Sequence, residues 1–151
     1  MSLNIVLYQP EIPANSGNIA RLSVAAACEL HLIRPLGYVL SDRYLKRAWL
    51  DYWPHVKLNI YDGLDQLIEK YPGSRFFYFS TKAGRPYTEV SYKDGDFLVF
   101  GPESRGLPDE ILTKNEENAL TIPMFGPVRS INLSTAVGVV VYEALRQLHG
   151  F

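Results

Sequence analysis

Three polar stretches carry the residue types that can handle a charged or hydroxylated ligand. PEIPANSGNIARL holds Asn15, Asn18 and Arg21; FGPESRGLP holds Glu103, Ser104 and Arg105; IPMFGPVRSINL holds Arg129, Ser130 and Asn132. Asn18 and Arg21 are three apart and share a helix face, while Ile19, Leu22 and Ala26 mark its buried stripe. Asn15 is expected at the start of that helix, where free backbone N–H groups favour an anion. A guanidinium beside such a terminus makes a clamp for phosphate. The bland alternative is capping by Asn15 beside a solvated Arg21. In the second stretch Gly101 permits close backbone approach and Pro102 stiffens the turn. Glu103 and Arg105 there either serve a ligand or pair with each other. In the third, Asn132 or Ser134 can cap the helix that follows, which accounts for one polar residue but not for all three.

Familiar catalytic motifs are missing. Gly101 to Gly106 has the glycine spacing of a phosphate loop, but Leu107-Pro108 follows in place of Lys and Ser/Thr, which excludes that kind of nucleotide hydrolysis. Ser104 lies one residue out of register for a nucleophile elbow. His31, His55 and His149 are far apart, no Cys/His cluster has metal spacing, and there is no G-x-G-x-x-G. No metal is expected. A formal net charge of −1 gives no global attraction to nucleic acid, so any RNA contact needs a local patch. Arg43, Lys46, Arg47 and Lys57, interleaved with Tyr44, Trp49 and Tyr52, offer one that can stack on splayed bases. A solvated helix face with ordinary core aromatics reads equally well. The single Cys28 allows no internal disulfide, the start MSLNIVLYQPE is no signal peptide, and Ser130–Tyr142 is too short to span a bilayer. A soluble, cytoplasmic protein without a membrane partner is expected.

The elements that must position these loops follow from apolar patterning. Strands are expected at Leu3–Tyr8, Glu29–Ile33, Val56–Ile60, Arg75–Ser80, Asp96–Phe100 and Leu120–Ile122. Helices are expected at Asn18–Ala27, Asp62–Tyr71, Pro108–Leu112 and from Leu133, with another capped by Ser41-Asp42. Pro10 and Pro13 exclude helix from the first loop, and Asn15 or Ser16 caps what comes after. Alternating strands and helices, with several continuous apolar strands, predict one α/β domain over residues 1–151. Its sheet is mostly parallel, with helices on both faces. Ligands of such sheets bind where loops leave the carboxyl ends of the strands. The last helix has two apolar stripes: Leu133, Val137, Val140, Ala144 and Leu148, then Gly138, Val141 and Leu145. So wide an arc is buried on more than one side, by a partner subunit in a homodimer or by the monomer's own core.

The three stretches together resemble the SpoU branch of the SPOUT RNA methyltransferases. The resemblance rests on N-x-x-x-x-x-R at Asn15–Arg21, FGPESRGLP at Phe100–Pro108, and IPM then RSINL at Ile122–Leu133, followed by STAVGVVVYEALRQ. Within the branch the chain is similar to the short, single-domain tRNA (cytidine/uridine-2′-O-)-methyltransferases of the wobble position. Ser16 and Ser104 stand where Thr is at least as frequent. The resemblance implies a parallel α/β sheet with a C-terminal trefoil knot and S-adenosyl-L-methionine as methyl donor. It also implies the tRNA anticodon stem-loop as substrate and a homodimer through the C-terminal helix. Cofactor contacts carried over are Phe79, Gly101, Ile122 and Ser130. Arg21 is carried over as the catalytic residue, with Asn15, Glu103, Ser130 and Asn132 positioning ribose and donor. A non-catalytic RNA-binding or nucleotide-sensing α/β domain is the alternative, and it leaves Arg21, Glu103 and the Ser130/Asn132 pair without a role.

Overall fold

The apolar runs of the sequence become the strands of one sheet. The computed structural model describes residues 2–40 and 51–151. Within them, β1 (Asn4–Tyr8), β2 (Glu29–Ile33), β3 (Leu58–Tyr61), β4 (Phe76–Phe79), β5 (Arg85–Pro86), β6 (Phe97–Phe100) and β7 (Ala119–Thr121) line up as β3-β2-β1-β6-β4-β7-β5. Every pairing is parallel. The helices are α1 (Pro13–Ala25), α2 (Leu64–Lys70), α3 (Asp109–Lys114) and α4 (Leu133–His149).

Register explains why the central strands are apolar throughout. Ile5 lies beside Leu30 and Leu98, and Leu98 beside Phe77; Leu7, Leu32, Phe100 and Phe79 form the next row. These rows meet Ile19 and Ala20 of α1 and Val137, Val140, Val141 and Ala144 of α4. Alternate residues turn the other way. Val6, Ile33, Phe76, Tyr78, Phe97 and Val99 pack with Leu67 of α2 and Ile111 and Leu112 of α3. With both faces covered, no strand position faces water and the alternating pattern disappears. Each fully buried valine or leucine here contributes on the order of 1.5–3 kcal/mol.

The ends of the helices are where the structure departs from expectation. The first helix begins at Pro13, not near Asn18, because proline at the first position loses only an N–H that the helix never uses. Neither Asn15 nor Ser16 caps it: the residue before it is Ile12, which makes no side-chain cap. The strand expected at Val56–Ile60 is β3, two residues later at its start, and the helix expected at Asp62–Tyr71 is the shorter α2. The short helix at Pro108 begins after the proline and runs on to Lys114. The two-residue β5 has no counterpart in the sequence reading. At α4 the expectation holds. Asn132 caps it, its side-chain oxygen accepting from the Ser134 and Thr135 amides at 2.9 and 3.3 Å. Gly150, at φ +70°, closes it with an N–H to the Arg146 carbonyl at 2.8 Å. Near that end the Gln147 amide pairs twice with a neighbouring backbone, accepting from Tyr92 N at 2.9 Å and donating to Val90 O at 3.0 Å. The expected cap at Ser41-Asp42 lies outside the described residues.

Candidate active site

A parallel sheet sends every strand's carboxyl end to the same edge, and strand order decides which loops become neighbours. β1, β2 and β3 step outward in one direction, and β6 then fits between β1 and β4. The loops after β1 and β6 therefore emerge side by side at the point where the strand order reverses. β4 and β7 come next, so the loops holding Asn15, Glu103 and Asn132 converge although the chain separates them widely.

A line of hydrogen bonds joins the three. Glu103 accepts from the Glu11 and Ile12 amides at 2.8 and 2.7 Å and from Asn15 Nδ2 at 3.2 Å. Asn15 Oδ1 accepts from Asn132 Nδ2 at 3.0 Å, and Asn132 Oδ1 caps α4. The anion expected at the start of α1 is thus the carboxylate of Glu103 itself. Glu103 does not pair with Arg105, whose Nη2 donates to Gln9 Oε1 at 3.1 Å. Gln9 sits at φ +49°, a left-handed conformation uncommon for a side-chain-bearing residue, at the point where the chain leaves β1. Asn15 is buried at 6% exposure with both ends of its amide engaged, so one side chain connects two loops without an orphaned polar group.

Beside this line lies a cleft of about 380 Å³, within the roughly 300–1,000 Å³ usual for small-molecule sites. Phe79, Gly101, Ile122 and Ser130 all line it, as do Glu103 and Ser104. Phe79 and Phe100 stack at 4.8 Å and 12° beneath it. Its walls are turns, so backbone groups are as available as side chains. Gly101 is obligatory there, since a Cβ would stand 2.2 Å from Leu107 N and 2.4 Å from Gly106 C. Among the described residues no group of three His, Cys, Asp or Glu could hold a metal ion.

Arg21 and Asn18 stand on the exposed face of α1 and do not line the cleft. Tyr52 reaches this helix, donating from its hydroxyl to Gly17 O at 2.9 Å. Burial raises the Tyr52 phenol above its ordinary value, and the positive charge of Arg21 pulls the other way. Of the basic and aromatic patch, Lys57 is exposed, while Arg43, Tyr44, Lys46, Arg47 and Trp49 lie outside the described residues. Sequence reasoning missed Glu11. Its Oε1 accepts from Ser104 N at 2.8 Å and its Oε2 from Ser104 Oγ at 3.0 Å, and these two bonds hold its carboxyl below the usual carboxylate range. Nothing local announces this, because the partner is 93 residues away.

Known proteins share this arrangement. The profile of the SpoU rRNA Methylase family matches residues 2–142. A protein of Listeria innocua is 56% identical over 97% of this chain and 89% of its own. The tRNA (cytidine(34)-2′-O)-methyltransferase of Escherichia coli strain K12 is 48% identical over 97% of this chain and 94% of its own. A solved structure described as giving "structural insights into the 2-OH methylation of C/U34 on tRNA" superposes with a TM-score of 0.94 at 54% identity, covering 99% of this chain and 98% of that one. Matches that run almost end to end in both chains, over a sheet whose switch point gathers the same three loops, settle the kinship: this chain belongs to the SpoU methylase family.

Proposed function

We propose that this chain is an S-adenosylmethionine-dependent methyltransferase acting on the ribose 2′-hydroxyl of nucleotide 34 of tRNA, a cytidine or uridine. The observation that carries the reading is the cleft itself: the residues expected to touch the donor, Phe79, Gly101, Ile122 and Ser130, line one space. Glu103, in the same wall, is bonded to the helix that bears Arg21. The near-full-length likeness to tRNA (cytidine(34)-2′-O)-methyltransferases points to the same chemistry.

The residues fit such a donor. Phe79, Phe100, Ile122 and Leu133 give the cleft apolar walls for a purine, and its turns offer backbone groups to a ribose and an amino acid. S-adenosylmethionine supplies a methyl group on an already activated sulfonium, so the protein's task is alignment and proton management. Arg21 keeps its protons as arginines do and is no general base. It holds the phosphate next to the target ribose and stabilises the oxygen as negative charge develops, while that phosphate receives the hydroxyl proton. Asn15, Glu103 and Asn132 fix the loops relative to one another, and Ser130 faces the donor. The reading extends to a two-fold dimer through α4. In support, Val137, Val140, Val141 and Ala144 are spent on the core, yet Val139 is only half-buried and Tyr142 is 44% exposed. It extends as well to the trefoil knot of the SpoU likeness and to work in the cytoplasm, where tRNA is matured.

The test uses labelled S-adenosylmethionine and undermodified tRNA, with the label mapped by nucleotide. Wild-type protein places it on nucleotide 34. Arg21→Ala loses on the order of 100-fold in turnover, the loss of one transition-state contact, while cofactor affinity stays within about threefold. Near wild-type turnover by that variant would remove Arg21 from the mechanism.

A further inference from the structure

The loops after β1 and β6 grip each other twice, in opposite directions. Glu103 reaches out of the cleft wall to the Glu11 and Ile12 amides just before α1, at 2.8 and 2.7 Å. Glu11 reaches back to the neighbouring residue of that wall, taking Ser104 N at 2.8 Å and Ser104 Oγ at 3.0 Å. Adjacent residues on each side therefore carry crossed carboxylates. A single grip fixes where a helix end sits but lets the helix swing about it. A second, offset grip fixes its direction.

Direction matters because of length. Arg21 is eight residues beyond Pro13, roughly 12 Å along the helix axis at about 1.5 Å per residue. A swing of about 5° at the start of α1 then carries Arg21 about 1 Å, a displacement that can cost on the order of 100-fold in rate.

We propose that Glu11 is a positioning residue for methyl transfer: by chelating Ser104 through both carboxylate oxygens it sets the direction of α1, and with it the place of Arg21 relative to the cleft. It touches neither donor nor RNA. Glu11 is absent from the cleft lining, and both of its oxygens are committed to Ser104. This rests on the methyl-transfer reading above. Ser104 differs in that it lines the cleft, so its own loss mixes positioning with any contact to the donor.

A double-mutant cycle tests it. Glu11→Ala lowers kcat by roughly 30-fold while the Kd of S-adenosylhomocysteine stays within about threefold. Glu11→Gln, which keeps one acceptor oxygen for the Ser104 amide, recovers part of the loss. Ser104→Ala removes one of the two bonds and costs less than Glu11→Ala, and the double variant is no worse than Glu11→Ala alone, as expected for two groups acting as one unit. Rates are compared at a fixed interval below each variant's Tm, so that a purely stabilising role leaves kcat unmoved. Additive losses, or a Glu11→Ala kcat within about threefold of wild type, overturn the proposal. Absence of methylation by the wild-type protein would instead defeat the underlying reading. Amide exchange still decides the geometry in that case, since Glu11→Ala must raise exchange in the first turn of α1, and unchanged protection there overturns the lock.

Discussion

Gly101 and Gly106 open and close one turn but are glycines for different reasons. At Gly101 the obstacle is packing: a methyl group would sit 2.2 Å from Leu107 N and 2.4 Å from Gly106 C, both backbone atoms that cannot rotate away. At Gly106 there is nothing within 4 Å, and the constraint is a φ of +67°, which side-chain-bearing residues adopt at a cost of about 1 kcal/mol. The two alanine variants should therefore separate cleanly. Gly101→Ala must rebuild the turn from which Glu103 and Ser104 project, and it should weaken S-adenosylhomocysteine binding at least tenfold, about 1.4 kcal/mol by calorimetry. Gly106→Ala should lose about 1 kcal/mol of stability with that affinity within about threefold. Equal binding by both would show that the turn does not shape the cleft.

At the scale of elements, α4 was legible and α1 only half so. The 3.6-residue periodicity of Val137, Val140, Val141 and Ala144 announces a buried helix, and the structure leaves those four without exposed surface. The start of α1 was hidden because its cap is a carboxylate from another loop, 91 residues along the chain at Ile12. Strand β5 was hidden for a similar reason, as two residues held only by β7 carry no pattern. The three polar loops were visible by composition, whereas their adjacency is a product of strand order, which local patterning does not encode. The docking of α4 gives a test at this scale. Gln147 replaces a backbone partner for both Tyr92 N and Val90 O, and Glu143 steadies its amide at 2.8 Å. Gln147→Leu keeps the bulk of the side chain but strands two half-buried backbone groups. Urea unfolding should show a loss of about 1–3 kcal/mol, with cofactor affinity unchanged. No loss would mean that water replaces the amide without penalty.

The molecule as a whole carries one ionisable side chain placed so that acid must work against the fold. His31 is fully buried in the middle of β2, with its ring 5.3 Å from that of Phe97 and 5.8 Å from that of Tyr61. Asn4 donates its amide to Gly95 O at 3.3 Å, which leaves Asn4 Oδ1 to accept from His31 Nε2 at 2.9 Å. His31 Nδ1 then accepts from the Tyr61 hydroxyl at 3.3 Å, so the neutral ring is satisfied at both nitrogens. Burial, with the positive charge of Lys70 adding to it, pushes the imidazole down from 6.5 to about 4. Between those values the unfolded chain binds a proton that the folded one refuses, so stability is full above pH 6.5 and falls as pH drops toward 4. At about 1.4 kcal/mol per unit the loss is about 3 kcal/mol by pH 4, a sizeable share of the ~5–15 kcal/mol that holds a domain together. His31→Gln retains an amide donor for Asn4 and removes the titration. Urea midpoints converted to free energies at pH 7.5, 6, 5 and 4.5 should fall more steeply in the wild-type protein than in this variant, whatever the variant's stability at pH 7.5. Parallel curves would place the acid sensitivity elsewhere, among carboxylates such as Glu11, whose ionised form the fold favours.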